Sequence, residues 1–367
     1  MSIFLTTCAE SNEKTLARLE AMLAAGEKQK VILEIDTILN DLNEEQTESI
    51  RSASSPRHFV RNSSGTTVAW LEKDKVFFYN GELDSISLDE NGSDLRISDN
   101  GKFALAFAVV DEQCLLFPMS LQTEELFPEI VLEKCEGRAA ITDTGEIWYP
   151  MNGKIFRKKN PETDQEAEPI LDKSRFSNKF KKIRNDFYIF SAPDNTLIIF
   201  YGNAGYYNLY GYDMDAGKLI SAGIKPVKPI IHWVEKRDLL FPENSKNSNS
   251  QTDAYLFTGS IGKFMLSSLS LNGLKSGISF SPPPETTSFT PISDTGFFYF
   301  IDNKSRVSSF NSRKNSITML PIKAKSLVFT ERGFLYNDEN NGLKLRRTHL
   351  SDFENKLLKM KQKAEEN

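Results

Sequence analysis

One short pattern recurs along most of this chain: an apolar strand, a turn of the form Ser/Thr-Asp-x-Gly, and a second apolar strand. It reads Leu95-Arg96-Ile97-Ser98-Asp99-Asn100-Gly101 before the run 103–107, and Ala140-Ile141-Thr142-Asp143-Thr144-Gly145 before Ile147-Trp148-Tyr149. It returns as Pro291-Ile292-Ser293-Asp294-Thr295-Gly296 before 297–300, and more loosely around Ser63-Ser64-Gly65 and Thr330-Glu331-Arg332-Gly333. Copies without the glycine lie at 190–197 and 232–239. The turn chemistry is local: Ser, Thr and Asp side chains bond the turn backbone, and Gly supplies a positive φ. Flanking apolar runs then pair as antiparallel strands. Self-similarity at a fixed element implies a repeat architecture, in which no unit buries its core alone.

A second hairpin follows in several copies. Trp70 leads through a polar turn to Val76-Phe77-Phe78, Trp148 to Ile155-Phe156, Tyr299 to Val307, and Tyr336 to Leu343-Lys344-Leu345. Tyr210-Gly211-Tyr212 and Leu219, across Asp213–Gly217, read as a third strand, a tight turn and an outer fourth strand. Seven copies of four strands, covering 57–349, predict a mainly β chain: a β-propeller of about seven four-stranded blades. The polar run 242–252 reads as a surface insertion beside the fifth copy. The pattern resembles the WD40-like repeats of bacterial propellers, which carry S-P-D-G-K turns before an apolar strand and D-x-x-x-G-K turns outside it. The Trp-Asp dipeptide of true WD40 repeats is missing, so the resemblance implies the architecture.

Residues 12–55 carry a different period. Leu16, Leu19 and Leu23 recur at helical spacing up to Gly26, a natural helix stop. Val31, Ile35, Ile38 and Leu42 follow on a second helix, and a third short helix is expected over 44–53. Leu23-Ala24-Ala25-Gly26 with the helix after it resembles one tetratricopeptide-type helix pair, but a single pair makes no groove. A hairpin packed on the next domain is the simpler expectation, with a partner-docking helix pair as the alternative. The Ser-rich run to Pro56 marks a boundary, giving a helical module over 12–55, a propeller over 56–349 and a helix with tail over 350–367. Leu350, Phe353, Leu357 and Met360 share one face of that last helix, and Ser351 with Glu354 has the capping-box spacing.

Residues 1–11 read as a tether. Leu5-Thr6-Thr7-Cys8 resembles a bacterial lipobox, with only Ile3, Phe4 and Leu5 as apolar residues before it. That resemblance makes Cys8 a lipidation candidate and implies a membrane-surface anchor without a span. Cys114 and Cys135 fall in strands expected to be neighbours; they can bond if the chain is exported, but buried free thiols are the reading favoured.

The composition fits packing better than proton transfer: 26 Phe against 3 His. The net charge of -5 argues against generic phosphate-backbone binding. No P-loop, metalloprotease or dinucleotide fingerprint is present, so no catalytic residue, cofactor or metal ligand is assigned. His58, His232 and His349 stand in separate repeats, and His232 beside Trp233 reads as a packing residue. Asp213 and Asp215 form a D-x-D without the distal Glu of a calcium loop, so an outer turn is expected. The Ser-Asp turns lack the spacing of sialidase Asp boxes. The run 173–184 holds six cations and no acid, making Lys179, Lys181, Lys182 and Arg184 candidates for a partner surface.

Together these point to a non-catalytic protein-binding or assembly scaffold. A lipidated terminus before a propeller resembles the outer-membrane-assembly lipoproteins of bacteria, which implies the periplasmic face of the envelope and protein partners. The alternatives are a propeller hydrolase or lyase acting on a small or carbohydrate ligand in a central funnel, and a cytoplasmic interaction protein.

Overall fold

The structure is a computed structural model. It describes residues 12–366 apart from 46, 53, 63–64, 164, 177–185, 193–194, 204–205, 226–229, 234–253, 261–262, 271–272, 276–278, 281–285, 292–296, 312–315, 331, 341 and 347–351. Among the described residues the strands form seven sheets of four or five strands. The first sheet orders Arg57–Arg61, Val68–Glu72, Lys75–Tyr79 and Leu83–Ser87; the second begins with Asp94–Ile97 and the third with Ala140–Ile141. The fourth begins at Asp186–Ala192, the fifth at Ile230–Trp233, the sixth at Thr286–Pro291 and the seventh at Ser326–Thr330. Successive strands in each sheet pair antiparallel, and Gly137–Arg138 is added parallel to Asp186–Ala192.

Each recurring sequence element coincides with the first strands of one sheet. The exception in detail is the fifth, where Ile230–Trp233 pairs with Ala254–Ser260 and not with the segment near Leu239. The polar run expected as an insertion lies between them, outside the described residues.

Alternation along each strand explains why the sheets stack. In the first sheet Ala69, Leu71, Val76 and Phe78 face the second sheet, packing on Leu95, Ala104 and Phe117. Val68, Trp70 and Tyr79 face the other way, onto Val328, Leu335 and Leu345 of the seventh. A strand buried on both faces must be apolar at successive positions, which is why Phe77 and Phe78 stand side by side. Full burial of Phe78 contributes roughly 2–3 kcal/mol. The side chains of Phe297, Phe298 and Phe329 lie outside the described residues.

The third N-terminal helix is not formed. Helix α1 spans Asn12–Ala24 and α2 spans Lys28–Glu45, after which Thr47–Arg51 is a strand. That strand is the outer member of the seventh sheet, paired antiparallel with Leu343–Arg346. The turn after α1 follows the expected stop, with Glu27 N–H donating to the Met22 carbonyl and Gly26 N–H to that of Leu23. The C-terminal helix α3, Asp352–Glu366, joins α1 and α2: Leu357 and Met360 pack with Leu19, Val31, Ile35 and Leu39. Lys361 binds Asp36 across α3 and α2 at 2.6 Å. The group rests on Ser316–Lys323 and Thr47–Arg51. Glu354 bonds Arg346 of the seventh sheet, both fully buried, so its carboxylate serves an ion pair between helix and sheet. Ser351, its expected capping partner, lies outside the described residues.

The cysteine expectation is overturned. Cys114 and Cys135 form a disulfide with Cα atoms 5.2 Å apart. The physical reason is register: Ile130–Leu132 pairs with the Cys114 strand, setting Leu132 opposite Cys114 and carrying the chain on to Cys135.

Candidate functional site

Where the first strands of the first and second sheets begin, three sheets bring charged side chains together. Asp94 opens the first strand of the second sheet. Its Oδ1 lies 3.2 Å from Arg96 Nη1 and 3.8 Å from His58 Nδ1, and its Oδ2 accepts from Arg138 Nε at 3.0 Å. Oδ1 also accepts the Leu95 N–H at 2.9 Å. Each guanidinium lies over an aromatic ring, Arg96 over Phe190 at 5.0 Å and Arg138 over Phe107 at 5.8 Å. Such stacking fixes the plane of a cation, and each guanidinium is also tied to backbone, Arg96 Nη1 donating to the Leu95 carbonyl and Arg138 Nη1 to that of Gly137, both at 3.1 Å.

Local backbone features aim these groups. The pairing of the first two strands slips between Arg57 and Val60, and His58 there takes φ 53°. A bulge of this kind redirects a side chain out of the ladder. Gly137 has φ 139°, and a Cβ there would sit 1.6 Å from the Phe187 carbonyl oxygen. Only glycine lets the chain run this close beside the fourth sheet, and Arg138 is delivered as the next residue.

The electrostatics are one-sided, with two guanidinium groups around a single carboxylate. Burial holds the His58 imidazole below its ordinary value; Asp94 pulls it up, and Arg57, Arg96 and Arg138 push it down. His58 is therefore neutral near pH 7. Burial also lowers Arg96, with Asp94 opposing, and it remains a cation. The arrangement offers fixed N–H donors and a carboxylate already engaged by N–H groups. That chemistry suits recognition of anionic or acceptor groups.

The opposite ends of the same strands behave differently. There the Ser/Thr-Asp-x-Gly turns bond to themselves. Ser98 Oγ accepts the Phe103 N–H at 3.0 Å, Thr142 Oγ1 accepts the Glu146 N–H at 3.1 Å, and Asn62 Oδ1 accepts the Thr67 N–H at 3.0 Å. Asp143 reaches across to the second sheet, its Oδ1 accepting the Asn100 N–H at 2.7 Å. Burial pushes the Asp143 carboxyl up, with the charge of Asp99 adding to the effect.

The sequence-level candidates fare unevenly. Cys8, Lys179, Lys181, Lys182, Arg184 and His349 lie outside the described residues. Lys173–Arg175, the start of the cationic run, is a 3-10 turn capped by Asp172, which accepts the Ser174 N–H at 2.9 Å. His232 sits in the strand Ile230–Trp233, but its side chain is outside the described set. Asp213 is the outer turn expected, accepting the N–H groups of Asp215 and Ala216 at 3.0 and 2.9 Å. Among the described residues no three His, Cys, Asp or Glu side chains are grouped to hold a metal. Sequence reasoning missed Asp94, Arg96 and Arg138. Their signal was a charge set inside an apolar strand, as in Leu95-Arg96-Ile97.

With this geometry in place, the chain can be set beside solved structures. The chain superposes on one from the crystal structure of the mitotic checkpoint complex with a TM-score of 0.53 and 10% identity, over 83% of this chain and 91% of that one. The likeness supports a propeller-like fold. The U3-55K structure aligns at TM-score 0.48 and 12% identity over 82% of this chain and 98% of that one. Hydrazine synthase of Kuenenia stuttgartiensis aligns at 0.45 and 11% over 82% and 97%. No family model matches the chain, and no curated protein matches it by sequence.

Proposed function

We propose that this protein is a non-catalytic, protein-binding scaffold whose seven sheets are the blades of a closed propeller. Closure is supported by the contacts between sheets: first with second, second with third, third with fourth, fourth with fifth, sixth with seventh, and seventh with first. The N-terminal strand Thr47–Arg51 completing the seventh sheet fits a ring fastened by both chain ends.

The observation that carries the binding reading is the cluster at the inner mouth. His58, Arg96 and Arg138 are gathered around Asp94, and each guanidinium is held by a ring as well. Pre-set donors of this kind bind a partner's polar groups with little ordering cost. The same fact supports the non-catalytic part, because the Asp94 oxygens already accept N–H groups. The mitotic checkpoint complex is a multi-component assembly, which fits a scaffold role.

The proposal extends to an oxidising compartment, the periplasmic side of a bacterial envelope, with a lipid at Cys8. The Cys114–Cys135 disulfide supports the compartment. Mass spectrometry of the native protein tests both parts; an unmodified Cys8 peptide removes the anchor, and two free thiols remove the compartment. The binding reading is tested by site-specific photo-crosslinking in the native cell. A photoreactive residue at Glu112, at the mouth end, should give discrete protein adducts, and one at Lys102, at the turn end, should not. Adducts from neither position overturn the scaffold reading.

A further inference from the structure

Beside the mouth, between the seventh and first sheets, lies a cavity of about 680 Å³. Its walls carry five cations, Arg51, Arg57, Lys73, Lys75 and Lys325, against Glu72 and Asp74. Glu72 is already engaged. It binds Arg51 at 2.9 Å, accepts from Trp70 Nε1 at 3.0 Å and is bonded by Ser54. The pocket therefore has a surplus of positive charge that its own carboxylates do not neutralise.

Its floor shows a second, independent need. Asn337 is 4% exposed, and its side-chain oxygen meets no hydrogen-bond partner among the described residues; the buried Ser326 hydroxyl beside it has none either. Orphaned buried polar atoms carry a desolvation penalty unless something fills the site. The backbone supplies a third observation. Lys73, in a two-residue hairpin turn, takes φ 54°, a conformation usually left to Gly, and its carbonyl is tied to the Gly92 N–H at 3.1 Å. Positive φ is what a two-residue hairpin turn asks of its central residues, so glycine fits at 73 without disturbing the turn.

We propose that this cleft binds an acidic peptide segment of a partner protein. The inference rests on the scaffold reading above and names the partner's chemistry. Cations at the walls call for carboxylates, and the Ser326 hydroxyl for an oxygen acceptor. The Asn337 oxygen calls for a hydrogen-bond donor, which a peptide backbone has and a nucleic-acid phosphodiester lacks. A nucleic acid is disfavoured, because the one ring in the cleft, Phe77, is covered by the Arg51 guanidinium at 4.2 Å and offers no open face for a base.

Fluorescence anisotropy with a fluorescein-labelled hexaglutamate peptide, at low and at moderate salt, tests this on the full chain. Saturable binding that weakens with salt is expected. Lys73→Gly and Lys75→Gln should each weaken it about threefold, and the pair about tenfold. Because glycine suits the backbone at 73, the first variant separates lost charge from lost fold, and its melting temperature should match or exceed the parent's. The proposal is overturned if hexaglutamate does not bind or if both variants bind like the parent. It is equally overturned if a single-stranded oligonucleotide of matched charge binds more tightly, or if inorganic phosphate competes as well as the peptide. Hexaglutamate failing while Glu112 crosslinks persist removes only this inference; absence of adducts from both Glu112 and Lys102 removes the scaffold reading.

Discussion

The two ends of the sheets' first strands use polar residues in opposite ways. At the turn end, Asn62, Ser98 and Thr142 are buried and bond the backbone of their own turns. At the other end, Asp94 and Arg96 of one strand meet His58 and Arg138 from two further sheets, and all four remain partly exposed. One end turns polar chemistry inward to fix the chain, and the other displays it. Local repeats and a non-local surface are thus made from the same strands.

Several experiments can break or sharpen that contrast. The largest effect is expected from the disulfide, which belongs to the fixed framework. Reducing it, or replacing Cys114 and Cys135 by Ala, should cost about 3 kcal/mol in denaturant unfolding, given the 21-residue separation. Hexaglutamate affinity should not change. Thr142→Val, at the turn end, strands a buried N–H and should cost about 1–3 kcal/mol, again with affinity intact. Asp94→Ala, at the mouth, should cost about 1 kcal/mol, because water reaches the arginines it leaves. If Asp94→Ala costs more than Thr142→Val, the mouth is structural and the contrast fails. Lys73→Gly should leave stability equal or raise it by about 0.5–1 kcal/mol, as strain is relieved.

The smallest effect is a pH dependence. His58 holds its proton less readily folded than at its ordinary 6.5. The unfolded chain therefore binds more protons at acid pH. Stability attached to this group is intact above about pH 6.5 and declines as pH falls below it. His58→Gln should flatten that part of the stability profile, measured by thermal melts between pH 5 and 7.5.

The recurring elements that carry the full turn were legible because their chemistry is local, whereas the fifth, without it, pairs with a strand the sequence did not mark. A Ser or Thr, an Asp and a Gly within four residues state their turn without help from the rest of the chain. The mouth was not legible, because Asp94, Arg96 and Arg138 are isolated charges in sequence and acquire meaning only when sheets converge. Thr47–Arg51 was read as helix for the same reason. Thr-Glu-Ser-Ile-Arg has a single apolar side chain, and its strand character comes from a partner at Leu343–Arg346. The cysteines could be seen, but their bond depends on a strand register that spacing does not reveal. The cleft between seventh and first sheets combines both obstacles, since its walls are drawn from opposite ends of the chain.

The pairing of Thr47–Arg51 with Leu343–Arg346 also has a consequence for how the protein is made. The two strands are separated by about 300 residues, so an emerging chain carries the first one without its partner through almost all of translation. α1 and α2 likewise wait for α3, and Arg346 for Glu354, until that helix has been made. A product truncated before residue 343 keeps an open sheet edge and an uncovered helix pair, both ready substrates for chaperones and proteases. The seventh sheet is thereby finished only once both of its distant segments have been made.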